Sequence, residues 1–191
     1  MRAAIIGVGS LGTIIGALMN HKGKSVDLID ASEENVAALN AAGATVTGFM
    51  ELNVPVQAYT PEQMTGKYDL VFLLNKQTTN PVVLRNLLPF LHEESIVCTL
   101  QNGIPEESVA ETVGRNRTIG GAVGFGATWL KPGVSMLTTT QEAVEKFAFE
   151  IGEIDGIIRP RLATVQQYLQ CVGRTEILTD LMGIRYAKLL M

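Results

Sequence analysis

From Arg2 to Gly114, mostly apolar runs alternate with stretches of helical spacing. "RAAIIG", "SVDLID", "YDLVFLLN" and "SIVCTLQNG" read as strands buried on both faces, the habit of parallel sheets. The stretches between them, "SLGTIIGALMNHKG", "SEENVAALNAAG" and "NPVVLRNLLPFLHEE", and "IPEESVAETVG" after the last, place apolar residues on one helical face. In the second of these Ser32 supplies the cap, acids fill the first turn and Gly43 supplies the stop. "ATVTGF" and "LNVPVQAYT" predict short strands or hairpin arms. Beyond Arg117 the pattern changes. "RTIGGAVGFGATWLKPGVSMLTTT" and "EKFAFEIGEIDG" set Pro-Gly and Asp-Gly turns between alternating runs, which predicts an antiparallel addition. "RLATVQQYLQCVG" predicts a helix, "RTEILT" a strand, and "DLMGIRYAKLLM" a last helix opened by Asp180 with no stop signal after it.

The stretch "IIGVGSLGTIIG" places four glycines in an apolar segment, and two readings compete for it. An export signal or membrane helix would carry Gly7, Gly9, Gly12 and Gly16 in its interior, each costing about 1 kcal/mol relative to alanine. No small-residue cleavage site follows, and the uncharged run from Ala3 to Asn20 falls short of the ~20 residues of a membrane span. The alternative explains every position. Gly7-Val8-Gly9-Ser10-Leu11-Gly12 is G-x-G-x-x-G between a strand and a helix, the phosphate turn of a dinucleotide fold. There Gly7 makes the turn, Gly9 admits a pyrophosphate to the backbone, Gly12 lets helix and strand pack, and the helix N-terminus faces the phosphates. Asp30 closes the next strand, where such a fold hydrogen-bonds the ribose 2′-hydroxyl. The fold expected is therefore α/β, a Rossmann-type doubly wound, mostly parallel sheet with an antiparallel addition. Residues 1–178 are expected to form the dinucleotide-binding domain and 179–191 a further helix that breaks off without a stop.

Composition narrows the partners. A net charge of −4 without basic runs argues against nucleic acid, and no stretch suits a membrane. The two cysteines, Cys98 and Cys171, form no metal-ligand pair and suit a reduced, cytoplasmic setting.

Three polar residues stand apart because they close strands or lie on the last helix: Lys76 after "DLVFLLN", Asn102 in "LQNG" and Lys188 in "RYAKLL". Ligands of a doubly wound sheet gather at the carboxyl ends of its strands, so Lys76 and Asn102 share one rim. Singly, each also reads as a surface lysine or a turn asparagine. Together with "GVGSLG", "LLNKQTTN" and "GGAVGFGATWLKPG", they give a chain that resembles the ketopantoate reductase (2-dehydropantoate 2-reductase) family of the 6-phosphogluconate-dehydrogenase-like superfamily. The resemblance implies reduction of a 2-keto acid, most simply 2-dehydropantoate on the route to pantothenate, by NAD or NADP. It implies Lys188 as general acid, with Lys76 and Asn102 orienting substrate and cofactor, and leaves a homodimer open.

Two departures bear on that resemblance. Family members using NADPH carry an arginine near the end of the second strand, whereas this chain has Asp30-Ala31-Ser32. A carboxylate there repels a 2′-phosphate, which favours NAD and leaves Lys22 or Lys24 as the cations that could rescue NADPH. The family also has a C-terminal helical domain that closes the cleft. Only its first helix is expected here, so Lys188 lies on an unanchored terminal helix and the polypeptide should bind cofactor better than it catalyses. Two further readings stay open: a non-catalytic NAD(P)-binding module, and an NAD-linked reductase of another 2-keto acid.

Overall fold

A computed structural model describes residues 1–190 and turns the alternation of runs into two sheets with helices between and around them. The chain opens with β1 (Ala3–Ile6), α1 (Ser10–His21), β2 (Val26–Ile29) and α2 (Glu33–Ala42). It continues through β3 (Ala44–Gly48), β4 (Leu52–Val54), β5 (Ala58–Tyr59), β6 (Tyr68–Leu73), α3 (Asn80–Leu87), β7 (Leu91–Thr99) and α4 (Glu106–Val113). The remainder is β8 (Thr118–Val123), β9 (Ala127–Lys131), β10 (Val134–Leu137), α5 (Gln141–Lys146), β11 (Phe149–Gly152), α6 (Pro160–Leu169), β12 (Thr175–Leu178) and α7 (Leu181–Leu189).

The main sheet has eight strands in the order β12-β11-β8-β7-β6-β1-β2-β5. Its ladders are parallel except β8 with β11. Because successive side chains in a strand face opposite ways, each central strand feeds two cores. Ala3, Ile5, Leu70, Phe72, Ile96 and Cys98 pack on one face, while Ala4, Ile6, Val71, Leu73 and Val97 pack on the other with Leu84, Leu87, Val109 and Val113. The two-sided apolar runs of the sequence are this arrangement. From β1 the chain order runs outward both ways, to β2 on one side and β6 on the other, so a crevice opens above β1 at the carboxyl ends of the strands.

The antiparallel addition is present in the β8–β11 pair, but β9 and β10 leave the main sheet. They join β3 and β4 in a second sheet of order β4-β3-β10-β9, in which β10 runs parallel to β3. Helix α1 is packed against this small sheet as well as against β1 and β2, which is why residues 12–19 are all buried. The helix expected over "NPVVLRNLLPFLHEE" is shorter than its apolar spacing suggests. α3 ends at Leu87, a single tight turn holds Pro89, and His92, Glu93 and Glu94 already lie in β7. Proline has no N–H to continue the helical ladder, and Ser95 Oγ accepts the His92 N–H at 2.8 Å, fixing the start of the strand. Among the described residues no helix is long and apolar enough to cross a membrane.

Candidate active site

At the crevice the backbone leaves little choice of residue. Gly7 has φ +93°, and a Cβ there would collide with the backbone of Leu74 and Asn75 at the end of β6. A Cβ at Gly12 would collide with the carbonyl of Gly7. At Gly9 a Cβ would meet nothing within 4 Å, so that position faces open space. No side chain caps α1, and Ser10, Leu11 and Gly12 of its first turn line the cleft. Close packing at the outer glycines, room at the middle one and a free helix end together fit the diphosphate of a dinucleotide.

The turn is locked from below. Asp30 Oδ2 accepts the Val8 N–H at 2.7 Å and its Oδ1 accepts the Ser32 N–H at 2.9 Å. Asn35, buried on α2, donates to the Val8 carbonyl at 2.9 Å and accepts the Gly133 N–H at 2.8 Å, tying the glycine turn to the β9–β10 turn. Ser32 caps α2 as its position in the sequence predicts, accepting from Asn35 N at 3.2 Å.

The cleft above the turn encloses about 920 Å³. Gly7, Gly9, Ser10, Leu11, Gly12, Asp30 and Lys76 all line it, and Val8 lies buried beneath. Asp30 and Glu62 stand at the β2 side and Lys76 across β1 from them, exposed on the rim. Lys22 and Lys24 are not available to this cleft. They lie past the far end of α1, a helix of 12 residues and so about 18 Å long, and Lys24 Nζ sits 5.0 Å from the Tyr168 ring centroid.

Asn102 and Lys188 form a second group beside this one. Lys188 Nζ donates to the Val123 carbonyl at 3.0 Å and reaches Asn102 Oδ1 at 3.5 Å, joining positions 86 apart in sequence. Burial and the nearby Arg185 charge hold the Lys188 ammonium below the ordinary lysine range, partly opposed by Glu150. Lys76 meets neither of them directly. The link runs through Gln77, which donates to the Asn102 carbonyl, and through Gln101, whose amide donates to the Asn75 carbonyl at 2.6 Å and to Asn80 Oδ1 at 2.8 Å.

The helix carrying Lys188 is anchored, contrary to the expectation for α7. Leu181 and Arg185 are each 1% exposed. The Arg185 guanidinium donates to Glu106 Oε1 at 2.7 Å and to the carbonyls of Gln101 and Gly121 at 2.7 and 2.8 Å. Sequence reasoning missed Arg185, Glu106, Gln101 and Asn35. A charge at a position that helical spacing puts on a buried face, as at Glu106 and Arg185, is the signal that could have paired them. Both cysteines are free, and no three metal-binding side chains cluster among the described residues.

A parallel sheet reversing at β1, an uncapped helix over a glycine turn and an acid closing β2 define a dinucleotide-binding protein of Rossmann type. The chain belongs to the ketopantoate reductase PanE/ApbA family, whose model matches residues 3–152. It is 30% identical to a 2-dehydropantoate 2-reductase of Pyrococcus abyssi over 164 residues, covering 81% of this chain and 53% of that protein. With the enzyme of the same name from Archaeoglobus fulgidus the identity is 28%, over 94% of this chain and 57% of the relative. The solved structure of 2-dehydropantoate 2-reductase from Geobacter metallireducens superposes with a TM-score of 0.87 at 26% identity, covering all of this chain and 62% of that one. The chain thus spans little more than half the length of these relatives.

Proposed function

We propose that this chain forms the dinucleotide-binding part of a reductase of 2-keto acids, with 2-dehydropantoate as first candidate substrate. In this reading residues 1–178 hold the cofactor, α7 opens a helical region, and the protein works in the cytoplasm with its cysteines reduced. A bound nicotinamide supplies hydride to the substrate carbonyl carbon. The protein's task is to stabilise the negative charge that develops on the carbonyl oxygen and to protonate it. Lys188 is the proton donor: an ammonium held below the usual lysine range releases its proton more readily at neutral pH. Asn102 fixes that ammonium from one side and the Val123 carbonyl from the other, and Lys76 supplies positive charge at the cofactor rim. The observation that carries the reading is the meeting of Lys188 with Asn102 at the strand ends beside the glycine cleft.

The cofactor is NAD(H) rather than NADP(H). Asp30 and Glu62 flank the β2 side of the cleft, and the two lysines that could have answered a 2′-phosphate lie at the far end of α1. Calorimetry on the full gene product is expected to give tighter binding of NADH than NADPH, with Asp30→Ala narrowing the gap; an NADPH preference in the unmodified protein overturns the assignment. Lys188→Ala is expected to lower turnover of 2-keto acids by about 10²- to 10⁴-fold while cofactor affinity holds, since that is the usual contribution of a general acid. Turnover retained in that variant overturns the role of Lys188. Comparing 2-dehydropantoate with other 2-keto acids in the same assay decides the substrate.

A further inference from the structure

The role proposed for Lys188 requires α7 to be placed with care, and the buried ion pair beneath it has no part in the chemistry described so far. Arg185 precedes Lys188 by one helical turn and projects from the same side of α7 into the end of the main sheet. Its Nε and Nη2 converge on Glu106 Oε1 at 2.7 and 2.6 Å, with Arg185 1% and Glu106 0% exposed at the side chain. The same guanidinium holds the Gln101 carbonyl, next to Asn102, and the Gly121 carbonyl, two residues before the Val123 carbonyl that Lys188 itself contacts. One cation therefore gathers the three segments that meet at Lys188: α7, the turn after β7 and the end of β8.

The pair also has a place reserved for it. A Cβ at Gly120 would collide with Leu181 and come within 2.6 Å of Glu106 Cγ and Oε1, so only glycine at this point of β8 lets α4 and α7 close on the strand. Stability alone is a poor account of such a pair. Removing two charges from water costs about as much as their attraction returns, and apolar replacements of both partners are often tolerated. What a forked guanidinium gives that an apolar contact does not is a fixed direction for each segment it bonds.

We infer that Arg185 and Glu106 are positioning residues, whose pair, seated in the slot left by Gly120, sets α7 so that the Lys188 ammonium meets Asn102. The inference rests on the reading of Lys188 as proton donor, and the two can fail separately. The charged groups around that ammonium are Arg185 on its own helix, Glu150 on β11 and, behind Arg185, Glu106 on α4.

The test uses the double variant Arg185→Met/Glu106→Leu of the full gene product, which removes both charges and keeps the volume apolar. Two readouts are taken: steady-state turnover, and NMR titration of the Lys188 side chain in protein labelled at lysine Cε, with the resonance identified by its loss in Lys188→Ala. Expected are a fall in turnover of about 10²-fold, the usual cost of misplacing a reacting group by 1 Å, with cofactor affinity held. Lys188 should also titrate nearer to ordinary lysine, because both the Arg185 charge and part of its burial are gone. A folded double variant with unchanged turnover overturns the inference, whether or not its Lys188 titration shifts with the lost Arg185 charge. Should the double variant fail to fold, Arg185→Lys decides: it keeps a buried charge but lacks the fork, and is expected to lose turnover without losing cofactor affinity. Unimpaired turnover in Arg185→Lys overturns the inference. If Lys188→Ala is fully active, the proton-donor reading falls alone, and hydrogen exchange along α7 in the double variant, accelerated if the pair places the helix and unchanged if it does not, decides whether Arg185 and Glu106 hold it.

Discussion

The two ends of the site, the glycine turn and the lysine helix, are built by different means. The glycine turn is made of backbone: Gly7 and Gly12 are pressed against neighbouring main chain, and the shape they leave is set by what a Cβ would hit. The lysine end depends on one side chain, the buried Arg185 guanidinium, which draws together three distant segments by bonding the Glu106 carboxylate and the backbone carbonyls of Gln101 and Gly121. A backbone device is written in a few adjacent residues and tolerates no substitution at its contacts. A side-chain device is spread along the chain, where single residues look ordinary, and in principle it can be replaced by other packing. The comparison predicts that substitutions at the glycine end divide sharply by position, whereas those at the lysine end act through the geometry of one helix.

The largest effects test that division. Gly12→Ala forces a Cβ into the Gly7 carbonyl, and overpacking of this kind costs about 1–3 kcal/mol of stability, with loss of cofactor binding as the turn opens. Gly9→Val meets open space in the protein alone, so thermal unfolding should be close to that of the parent. Binding should nevertheless fall by roughly 100-fold or more, because the side chain displaces a phosphate from at least two charge-assisted N–H contacts, each contributing about 1.5–3 kcal/mol. Calorimetry and melting curves on the same samples separate the two. If Gly9→Val lost stability as Gly12→Ala does, the middle glycine would be a packing residue and the cleft would not be shaped for a diphosphate.

The same division explains what the sequence could reveal. The strands and helices of the main sheet were legible because burial on both faces leaves an apolar run of strand length, and the glycine turn because sterics allow almost no other residue there. The two hairpins of the small sheet, β3–β4 and β9–β10, were legible as short runs around turns, but their union was not: β3 pairs with β10 some 90 positions later, and neither strand carries a mark of its partner. The end of α3 was misread because the apolar spacing continues through Leu88 and Leu91, and only Pro89 shows that the ladder stops. Lys188 and Asn102 were found through a family pattern, whereas the anchoring of α7 depends on Arg185 and Glu106. A buried charge pair is invisible to any reading that assigns charged residues to the surface.

An intermediate effect sharpens the comparison from the side of Asn35. This residue is the one side chain on α2 that holds the glycine turn and the β9–β10 turn at once, donating to one backbone and accepting from the other. Asn35→Leu removes both bonds and leaves the Val8 carbonyl and the Gly133 N–H without these partners, at about 1–3 kcal/mol for each group that stays buried. The expected outcome is a lower melting temperature together with weaker cofactor binding, since the Val8 backbone that Asp30 also holds is freed on one side. A stable variant with full affinity would mean that backbone contacts alone fix the glycine end.

The smallest effect should fall on the lysine end. Asp180 caps α7, its Oδ1 accepting the Gly183 N–H at 2.9 Å, and the absence of a Cβ at Gly183 leaves room for the carboxylate against the first turn. Removing an exposed cap of this type costs about 1 kcal/mol. Because Leu181 and Arg185 still hold the helix to the sheet, Asp180→Ala should fray the first turn without releasing Lys188. Hydrogen exchange should therefore accelerate at the amides of the first turn, while exchange near Arg185, the ionisation of Lys188 and turnover change little. Exchange that accelerated along the whole of α7, with a matching fall in turnover, would show that the cap and not the buried guanidinium places the helix, and the contrast between the two ends of the site would then rest on local helix stability instead of on long-range side-chain contacts.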